Sequence, residues 1–408
     1  MIMSYRLFEV FGIELEYMVV SRDQLQVKPI VDELFLKKNG EITSDIPNGK
    51  IEWSNELVAH VVELKTNGPT PNLEELPELF LQNIQEINQI LEGLNAQLLP
   101  SAAHPMMNPL LETQLWKHHY SKIYALYNRI FDCKGHGWSN VQSMHINLPF
   151  FDDEEFEKLH AAVRILLPVI PGLAASSPII EKEFTGYKDS RMNFYKTNQK
   201  EIPQMTGKVI PEPVFSKKEY RETIFESINK AIKPFDTENL LDQHFLNSRG
   251  AIARFDRNAI EIRVIDIQEN PAADIAIAAL IIAALRLLVS EELVSLEDQK
   301  TWTEEGLFSI FDEVIKNAEN TLIENKRYLA IFDLEKPSDV KTIWKALYEK
   351  VQQQLAEDQQ KHIEFILQNG SLSTRILKSL RNDFSEAHIL KTYRKLGDCL
   401  QNNRMFRP

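Results

Sequence analysis

Two glutamates near the start of the chain have a spacing that could hold a divalent metal ion. They lie in the segment Phe11–Met18, whose apolar and aromatic residues are typical of a β-strand. Because side chains alternate between the two faces of a strand, Glu14 and Glu16 lie on one face, about 6.6 Å apart. Two like charges at that distance repel by about 2.5 kcal/mol at an effective dielectric constant of about 20. The pattern indicates either an exposed polar face or carboxylate ligands for a hard cation such as Mg²⁺.

Three later segments show the same division between an apolar face and a face of reactive side chains. Each is predicted to be a strand because apolar residues alternate with the polar ones. Four such strands predict a sheet with helices on one side and a charged cavity on the other. Carboxylates with an imidazole and no cysteine suit Mg²⁺ or Mn²⁺ better than structural zinc, and arginines beside them suit phosphate. The polar residues of the three segments are Glu63 and Lys65, His145, and Glu261 and Arg263.

Composition narrows the class of protein and of partner. The 408 residues carry a formal net charge of −13, which argues against a general binder of nucleic acid or of anionic membranes. The two cysteines, Cys133 and Cys399, are too few for a disulfide framework or a cysteine-based zinc site. The most apolar run, Ile275–Leu285, is shorter than a membrane span and predicts a buried helix. We expect a reduced, cytoplasmic protein that acts on small molecules.

The rest of the chain is predicted to be mostly helical, apart from one long polar segment. That segment, Glu181–Tyr220, contains Tyr187 and Arg191, which suit contacts to an anion or a nucleotide. The chain has no Gly-Lys-Ser/Thr phosphate loop and no Gly-x-Gly-x-x-Gly turn, so metals, arginines and loops would have to hold a nucleotide. Helical periodicity predicts Glu74–Leu94, Thr113–Phe131, Asp153–Ala175 with kinks at Pro168 and Pro171, Ala272–Leu293, Leu307–Tyr328, Ser338–Leu367 with Ser338 as N-cap, and Leu372–Leu400.

Six short motifs occur in the order in which one known family has them. They are Gly12–Glu16; Glu56 with Val62–Thr66; His104-Pro105; Ser143–His145; Leu173–Pro178 with Thr185–Tyr187 and Ser190-Arg191; and Ile260–Val264 with Asp266. With these motifs the chain resembles the glutamate–cysteine ligase family of the second bacterial type, also called carboxylate–amine ligases, which is related to glutamine synthetase. The resemblance covers about residues 8–290. Each motif is weak alone, but six in the same order are specific.

The resemblance implies an α+β, glutamine synthetase-like catalytic fold. Its curved, largely antiparallel sheet would carry helices on the convex face and the active site on the concave face. The catalytic domain would span residues 1–290, and a helical C-terminal region, residues 291–408, would pack on it.

The resemblance also implies ATP and Mg²⁺ or Mn²⁺ as cofactors, and roles for individual residues. Arg263 and Arg191 would contact the transferring phosphoryl group, and Lys65 and Tyr187 would also serve the nucleotide. A homo-oligomer is compatible with the family, and neither nucleic acid nor a membrane is expected as a partner. The implied metal ligands are Glu16, Glu56 and Glu63 for one ion, and Glu14, His145 and Glu261 for another.

The implied reaction joins a carboxylate to an amine in two steps. The γ-carboxylate of glutamate attacks the γ-phosphate of ATP and forms an acyl phosphate. An amine such as cysteine, as in glutathione biosynthesis, then displaces phosphate and forms a γ-glutamyl amide. Two other functions stay open: a metal-dependent phosphohydrolase, and a catalytically degenerate family member that binds a metabolite.

The sequence departs from the family pattern in places that concern the substrate. Ser143 replaces the first histidine of a His-x-His pair, whereas His145 is kept. Asn147-Leu-Pro149 stands where the family often has Val-Gly, and the helical end is longer than the family match. Metal binding is therefore predicted, but the identity of the amine and of the carboxylate stays open. A local ion pair also stays open, with Arg263 as the partner of Glu261 and Lys65 as the partner of a neighbouring glutamate.

Overall fold

A computed structural model describes residues 5–408; the first four residues of the predicted catalytic domain lie outside the described part. The twelve strands are β1 (Gly12–Ser21), β2 (Asp45–Asn48), β3 (Ile51–Asn55), β4 (Val61–Thr66), β5 (Ala96–Leu99), β6 (Ser143–Pro149), β7 (Ile179–Ile180), β8 (Glu183–Phe184), β9 (Ala251–Arg254), β10 (Ala259–Asp266), β11 (Leu322–Ile323) and β12 (Ser338–Asp339).

The α-helices that precede the last strand of the main sheet are mostly short. They are α1 (Val31–Asn39), α2 (Leu76–Glu92), α3 (Pro109–Glu112), α4 (Ser121–Phe131), α5 (His136–Ser139), α6 (Asp153–Leu166), α7 (Pro171–Ala174), α8 (Ser190–Tyr195), α9 (Lys217–Tyr220), α10 (Glu226–Ile232) and α11 (Gln243–Leu246).

The helices that follow that strand form the C-terminal part. They are α12 (Pro271–Val289), α13 (Leu296–Lys300), α14 (Glu304–Asn317), α15 (Lys326–Ala330), α16 (Val340–Val351), α17 (Glu357–Asn369), α18 (Leu372–Leu380) and α19 (Glu386–Gln401). Short 3-10 turns and one π turn join some of them: Leu167–Val169, Arg221–Phe225, Ala318–Asn320 and Gln352–Gln354.

One antiparallel sheet organises the fold, and its eight strands run in the order β2-β3-β4-β1-β6-β10-β9, with β5 also paired to β1. The apolar face of β1 is fully buried through Ile13, Leu15 and Tyr17. Helices α2 and α6 contact the sheet, and α12 packs against both of them. The predicted α+β architecture, with an antiparallel sheet and a helical C-terminal part, is confirmed.

Helix α12 is long and apolar enough to cross a membrane by length and composition, but most of it is buried inside the protein. It packs against α2, α6, α16 and α17. The prediction of a buried helix over Ile275–Leu285 is thus confirmed. One hydrophobic core contains residues from both sides of position 290, while the division of the chain into two domains at that position stays a prediction.

Three predicted helices are interrupted by residues in conformations that a helix cannot contain. Thr113–Phe131 is helical only from Ser121, because Trp116 donates its backbone N–H to the carbonyl of Leu57 and holds this stretch extended. Leu307–Tyr328 breaks at Ala318, where φ is +47°. Leu372–Leu400 breaks at Arg381 and Asn382, which are both left-handed.

Ser338–Leu367 is also two helices, separated by the turn Gln352–Gln354. The predicted N-cap at Ser338 is wrong by one residue, since the Asp339 carboxylate accepts from the Thr342 N–H at 2.8 Å. The predicted kinks in Asp153–Ala175 are confirmed, because the chain passes through a 3-10 turn around Pro168 and starts α7 at Pro171.

His104, from the predicted His-Pro motif, is a structural residue. Its Nε2–H donates to the Leu25 carbonyl at 2.6 Å, and its Nδ1 accepts the Met106 N–H at 3.1 Å. Burial lowers the pKa of His104 to about 4. Because the folded state prefers the neutral ring, His104 supports stability fully above its usual pKa of 6.5 and loses that support as the pH falls towards 4.

We predict that His104→Gln reduces the loss of stability in acid. Glutamine can donate and accept as the neutral ring does, but it cannot take up a proton. Between pH 7.5 and pH 5 the wild-type free energy of unfolding should fall by about 2 kcal/mol more than that of the variant. Urea titrations at both pH values measure this difference, and identical pH dependence in the two proteins would contradict it.

Candidate active site

Strand β1 lies at the centre of the candidate site because its neighbours place their polar residues opposite its own. Glu14 stands opposite His145 of β6 and Lys65 of β4, and Glu16 stands opposite Glu63. Directly opposed residues of antiparallel strands point to the same face. The register therefore brings four of the sequence-predicted residues, and Lys65, together on the face away from the helices.

Strand β10 adds a fifth predicted ligand, Glu261, and an irregularity that the sequence does not reveal. The sixth, Glu56, directly follows β3. Glu261 stands opposite Asn147, which shares a face with His145. Between Ile262 and Ile265 the pairing with β6 contains one extra residue, a β-bulge. The bulge shifts the alternation, so that Asp266 falls opposite Ser143 on the site face.

The carboxylates form two groups that could each hold a metal ion. In one group, Glu16, Glu56 and Glu63 offer ligand atoms within 4.8 Å of one another, which is the first set implied by the family resemblance. The other group within that distance is Glu14, Glu63 and His145. The implied second set contains Glu261 instead of Glu63, and Glu261 Oε1 lies 3.7 Å from His145 Nδ1. The structure thus brings all six candidate ligands to one place, with Glu63 between the two groups.

Hydrogen bonds from protein groups orient Glu14 and Glu16. His145 Nδ1 lies 2.8 Å from Glu14 Oε2, and its Nε2 lies 2.9 Å from Ser143 Oγ. Ser143 donates both its hydroxyl and its backbone N–H to Glu16. The serine that replaces a family histidine therefore positions Glu16.

The charges of this network shift its pKa values in opposite directions. Burial alone would raise the pKa of Glu14, but the hydrogen bond and charge of His145 outweigh it and lower that pKa to about 2. Burial and the charge of Glu14 raise the pKa of Glu63 to about 7. Burial and the charge of Glu63 also raise the pKa of Glu56 well above its usual value.

The donor set fits hard divalent cations. Several carboxylates and one imidazole are crowded into a buried place where their negative charges repel, and a cation would relieve that repulsion. Asn147 adds an amide oxygen, because its Nδ2 donates to Glu14 Oε1 at 3.0 Å while its buried Oδ1 has no hydrogen-bond partner among residues 5–408. The chemistry of these residues matches Mg²⁺ or Mn²⁺ better than zinc.

Positive side chains surround the acidic cluster, and two of them hold Glu261. Arg263 Nε and Arg254 Nη1 both lie 3.2 Å from its carboxylate oxygens. Sequence analysis missed Arg254, although alternation along β9 places it on the same face as Ile252, which stands opposite Glu261. Lys65 lies 3.2 Å from Asp45, 3.2 Å from Glu52 and 3.5 Å from Glu63, so its ammonium group is held by three carboxylates.

The two residues of the polar segment that are predicted to contact a nucleotide, Arg191 and Tyr187, lie in different places. Arg191 lines the cavity, but it is 2% exposed, and its guanidinium contacts Asp266 at 2.5 Å and the Arg263 carbonyl at 3.3 Å. It therefore braces the bulge that carries Arg263. Tyr187 is not among the cavity-lining residues, and its ring lies 5.5 Å below the Lys196 ammonium group. Phosphate contacts by both residues stay predictions.

These side chains open into one cavity of about 700 Å³, a volume typical of small-molecule sites. The acidic cluster and Arg263 lie in its wall together with several aromatic residues. These include Tyr120, Tyr124, Tyr127, Trp138, Tyr195 and Phe245.

Comparison with known proteins identifies relatives over nearly the whole chain. The model of the family described as glutamate-cysteine ligase family 2 (GCS2) matches residues 10–383. An uncharacterised protein of Archaeoglobus fulgidus is 32% identical over 381 residues, which are 93% of this chain and 95% of that protein.

Two solved structures share the fold at low sequence identity. The bifunctional glutathione synthetase of Pasteurella multocida has a TM-score of 0.61 and 13% identity; the match covers 96% of this chain and 53% of that enzyme, so this chain spans about half its length. The glutamate–cysteine ligase of Francisella tularensis, solved in complex with AMP, has a TM-score of 0.57 and 12% identity over 98% of this chain and 90% of that enzyme.

We predict that Arg191→Met destabilises the metal-free protein by about 3–5 kcal/mol, because it leaves Asp266 buried without its cation. The matched control is Arg22→Met, whose arginine forms an exposed pair with Glu92 and should contribute about 1 kcal/mol or less. Urea unfolding measures both. An Arg191→Met protein as stable as the wild type would show that Arg191 does not act as a structural brace.

Proposed function

The chain belongs to the glutamate–cysteine ligase family 2, and on that premise we propose that it is an ATP-dependent carboxylate–amine ligase. The observation that carries the proposal is the convergence of six candidate ligands and Arg263 beside one cavity. Glu56 directly follows β3, and the other ligands lie on one face of the sheet. Glutamate or a similar carboxylate is the acyl donor, an amine is the acceptor, and the product is an amide. We place this reaction in the cytoplasm, with small molecules as partners.

In this proposal Glu16, Glu56 and Glu63 would hold one Mg²⁺ or Mn²⁺ ion, and Glu14, His145 and Glu261 would hold another. The bound ions would neutralise charge on the phosphates of ATP. His145 orients Glu14, Ser143 orients Glu16, and Asn147 donates a second hydrogen bond to Glu14. Protein groups are thus arranged before the substrates bind, which is how an active site stabilises developing charge without reorganisation.

The γ-carboxylate of the donor attacks the γ-phosphorus of ATP, and ADP leaves with the electrons of the broken P–O bond. Arg263 faces this transfer with a planar guanidinium, which can contact two phosphoryl oxygens. Glu261 and Arg191 hold Arg263 in place, one through an ion pair and the other through its backbone carbonyl. An amine then attacks the acyl phosphate and releases phosphate as the amide forms.

The test of this proposal is ADP formation with ATP, Mg²⁺, glutamate and a panel of amines. A ligase releases ADP in step with amide formation and needs both the carboxylate and the amine. A phosphohydrolase would release phosphate at the same rate without an amine, and a metabolite-binding protein would release none. Either of these outcomes would replace the proposal.

We predict that Glu261→Gln and Arg263→Lys give folded proteins with turnover reduced about 100- to 1000-fold, equivalent to about 3–4 kcal/mol of lost transition-state stabilisation. Glutamine keeps the shape of Glu261 but lacks the charge that a hard cation requires. Lysine keeps the charge of Arg263 but lacks its planar fork. Buried Ile260, Ile262 and Val264 supply the packing of the strand in both variants.

Steady-state ADP formation and circular dichroism check these variants together. Glu154→Gln and Arg22→Lys are the matched controls, because both residues form exposed ion pairs, with Lys158 and Glu92. Full turnover in both site variants would refute their assigned roles. Unfolding of both would favour a purely structural Glu261–Arg263 ion pair.

A further inference from the structure

The cavity has two chemically different ends. Near Glu14 and Glu261 its wall carries Lys65, Arg254 and Arg257, and the charges of Lys65 and Arg257 act on Glu14. This end contains the acidic cluster together with these positive side chains, and the proposed function assigns the polyphosphate of ATP to it. The other end of the cavity has a wall of aromatic side chains.

Four aromatic side chains build that second end from three separate segments. Tyr127 of α4 lies with its ring centroid 5.6 Å from Trp138 of α5 and 5.3 Å from Phe245 of α11, in both cases edge to face. Phe131, which is not among the cavity-lining residues, stacks on Trp138 at 5.5 Å and lies 5.6 Å from Tyr127. Tyr127 and Phe131 therefore fix the indole of Trp138 in one orientation where it lines the cavity.

Phe245 of this end and a further aromatic residue of the cavity wall, Tyr120, are exposed rather than fully packed. Phe245 is 50% exposed and Tyr120 is 47% exposed, although both line the cavity. Tyr120 is also left-handed, with φ of +69°, a conformation that costs a residue other than glycine about 1–3 kcal/mol. Exposed aromatic rings at the rim of a pocket are available to cover the apolar part of a ligand.

Two polar atoms at the same end have nothing to bind within the protein. Tyr195 Oη and Asn198 Oδ1 are buried and have no hydrogen-bond partner among residues 5–408, and both residues line the cavity. Asn198 is held in place by two hydrogen bonds. Its side-chain Nδ2 donates to the Gly137 carbonyl at 2.9 Å, and its backbone carbonyl accepts the Trp138 Nε1–H at 3.0 Å. Gly137 permits this approach, since a Cβ there would lie 2.8 Å from Asn198 Cβ.

We propose that this aromatic end is the acceptor subsite, and that the acceptor is a primary amine carrying an aromatic ring rather than cysteine. The inference rests on the proposed ligase function. The ring would lie against Trp138 and Phe245, while Asn198 Oδ1 and Tyr195 Oη would accept hydrogen bonds from polar hydrogens of the acceptor. Cysteine offers a much smaller apolar surface and would leave most of this wall in water.

The position of the aromatic end relative to the reacting groups supports this assignment. Tyr124 and Tyr195 line the same cavity as Glu56 and Arg263. The Tyr124 hydroxyl accepts a hydrogen bond at 3.2 Å from Asn55 Nδ2, one residue before Glu56, so the aromatic wall adjoins the proposed site of phosphoryl transfer. An amine that arrives as an ammonium ion is attracted both by the aromatic faces and by the acidic cluster. After it loses a proton to water, its nitrogen lone pair forms the C–N bond, and phosphate leaves with the electrons of the C–O bond. The nitrogen then loses a second proton, to the departing phosphate, and the amide is neutral.

The test compares benzylamine, propylamine and cysteine as acceptors with ATP, Mg²⁺ and glutamate. We expect kcat/KM for benzylamine to exceed that for either other amine at least tenfold. Phe245→Ala should raise the KM for benzylamine about tenfold and leave the KM values for ATP and glutamate within twofold. Trp138→Ala should act in the same direction, and Phe184→Ala, which removes an exposed ring outside the cavity, should change none of these values.

A ligand-observed NMR measurement of benzylamine binding, with Mg²⁺ and a non-hydrolysable ATP analogue, separates this inference from the ligase proposal. Binding that Phe245→Ala weakens, without any ATP turnover, would support the aromatic subsite and refute the ligase function. Efficient turnover of cysteine with no effect of Phe245→Ala or Trp138→Ala would overturn the subsite and leave the ligase standing. A rise in the KM for ATP in these variants would also overturn it, because the aromatic end would then hold the adenine.

Discussion

Repulsion between carboxylates on one face of β1 and β4 is the constraint on which the site depends. Glu14, Glu16 and Glu63 lie on neighbouring positions of adjacent antiparallel strands, with little water to screen them. Different neighbours give Glu14 and Glu63 different pKa values. Glu14 is held charged by His145, whereas Glu63 takes a pKa near 7. Such crowding of carboxylates suits a cation, since a positive charge at their centre would relieve the repulsion.

The opposite face of the sheet makes such a site compatible with a stable fold. Ile13, Leu15 and Tyr17 alternate with the glutamates of β1 and are fully buried. The hydrophobic contribution of such residues, about 1.5–3 kcal/mol for each large side chain, offsets repulsion on the polar face. Buried polar contacts also stabilise the site. Asp266 of β10 accepts hydrogen bonds from Arg191 of the polar segment and from Ser177, which precedes that segment. The same strands thus stabilise the fold with their apolar face and form the candidate site with their polar face.

Strand alternation made the candidate ligands on the strands predictable, because a period of two assigns Glu14, Glu16, Glu63, His145 and Glu261 to the polar faces of their strands without knowledge of the fold. The strand pairing itself, and the bulge that places Asp266 on that face, could not be predicted, since both depend on contacts between distant segments. The same holds for the aromatic end. Trp138, Asn198 and Phe245 meet only after the helices dock, and nothing in their local sequence distinguishes them from core or loop residues. The predicted helices were too long where left-handed residues, such as Ala318 and the pair Arg381 and Asn382, interrupt the apolar periodicity.

The central claim is that the acidic cluster and Arg263 serve transfer of a phosphoryl group to a carboxylate that then forms an amide. Following oxygen from the carboxylate tests this claim most directly. Glutamate labelled with oxygen-18 in its side-chain carboxylate, incubated with the enzyme, ATP, Mg²⁺ and an accepted amine, should transfer one labelled oxygen to each phosphate released, as mass spectrometry would show. Phosphate that carries oxygen only from ATP and water would contradict the account and identify the protein as a phosphohydrolase.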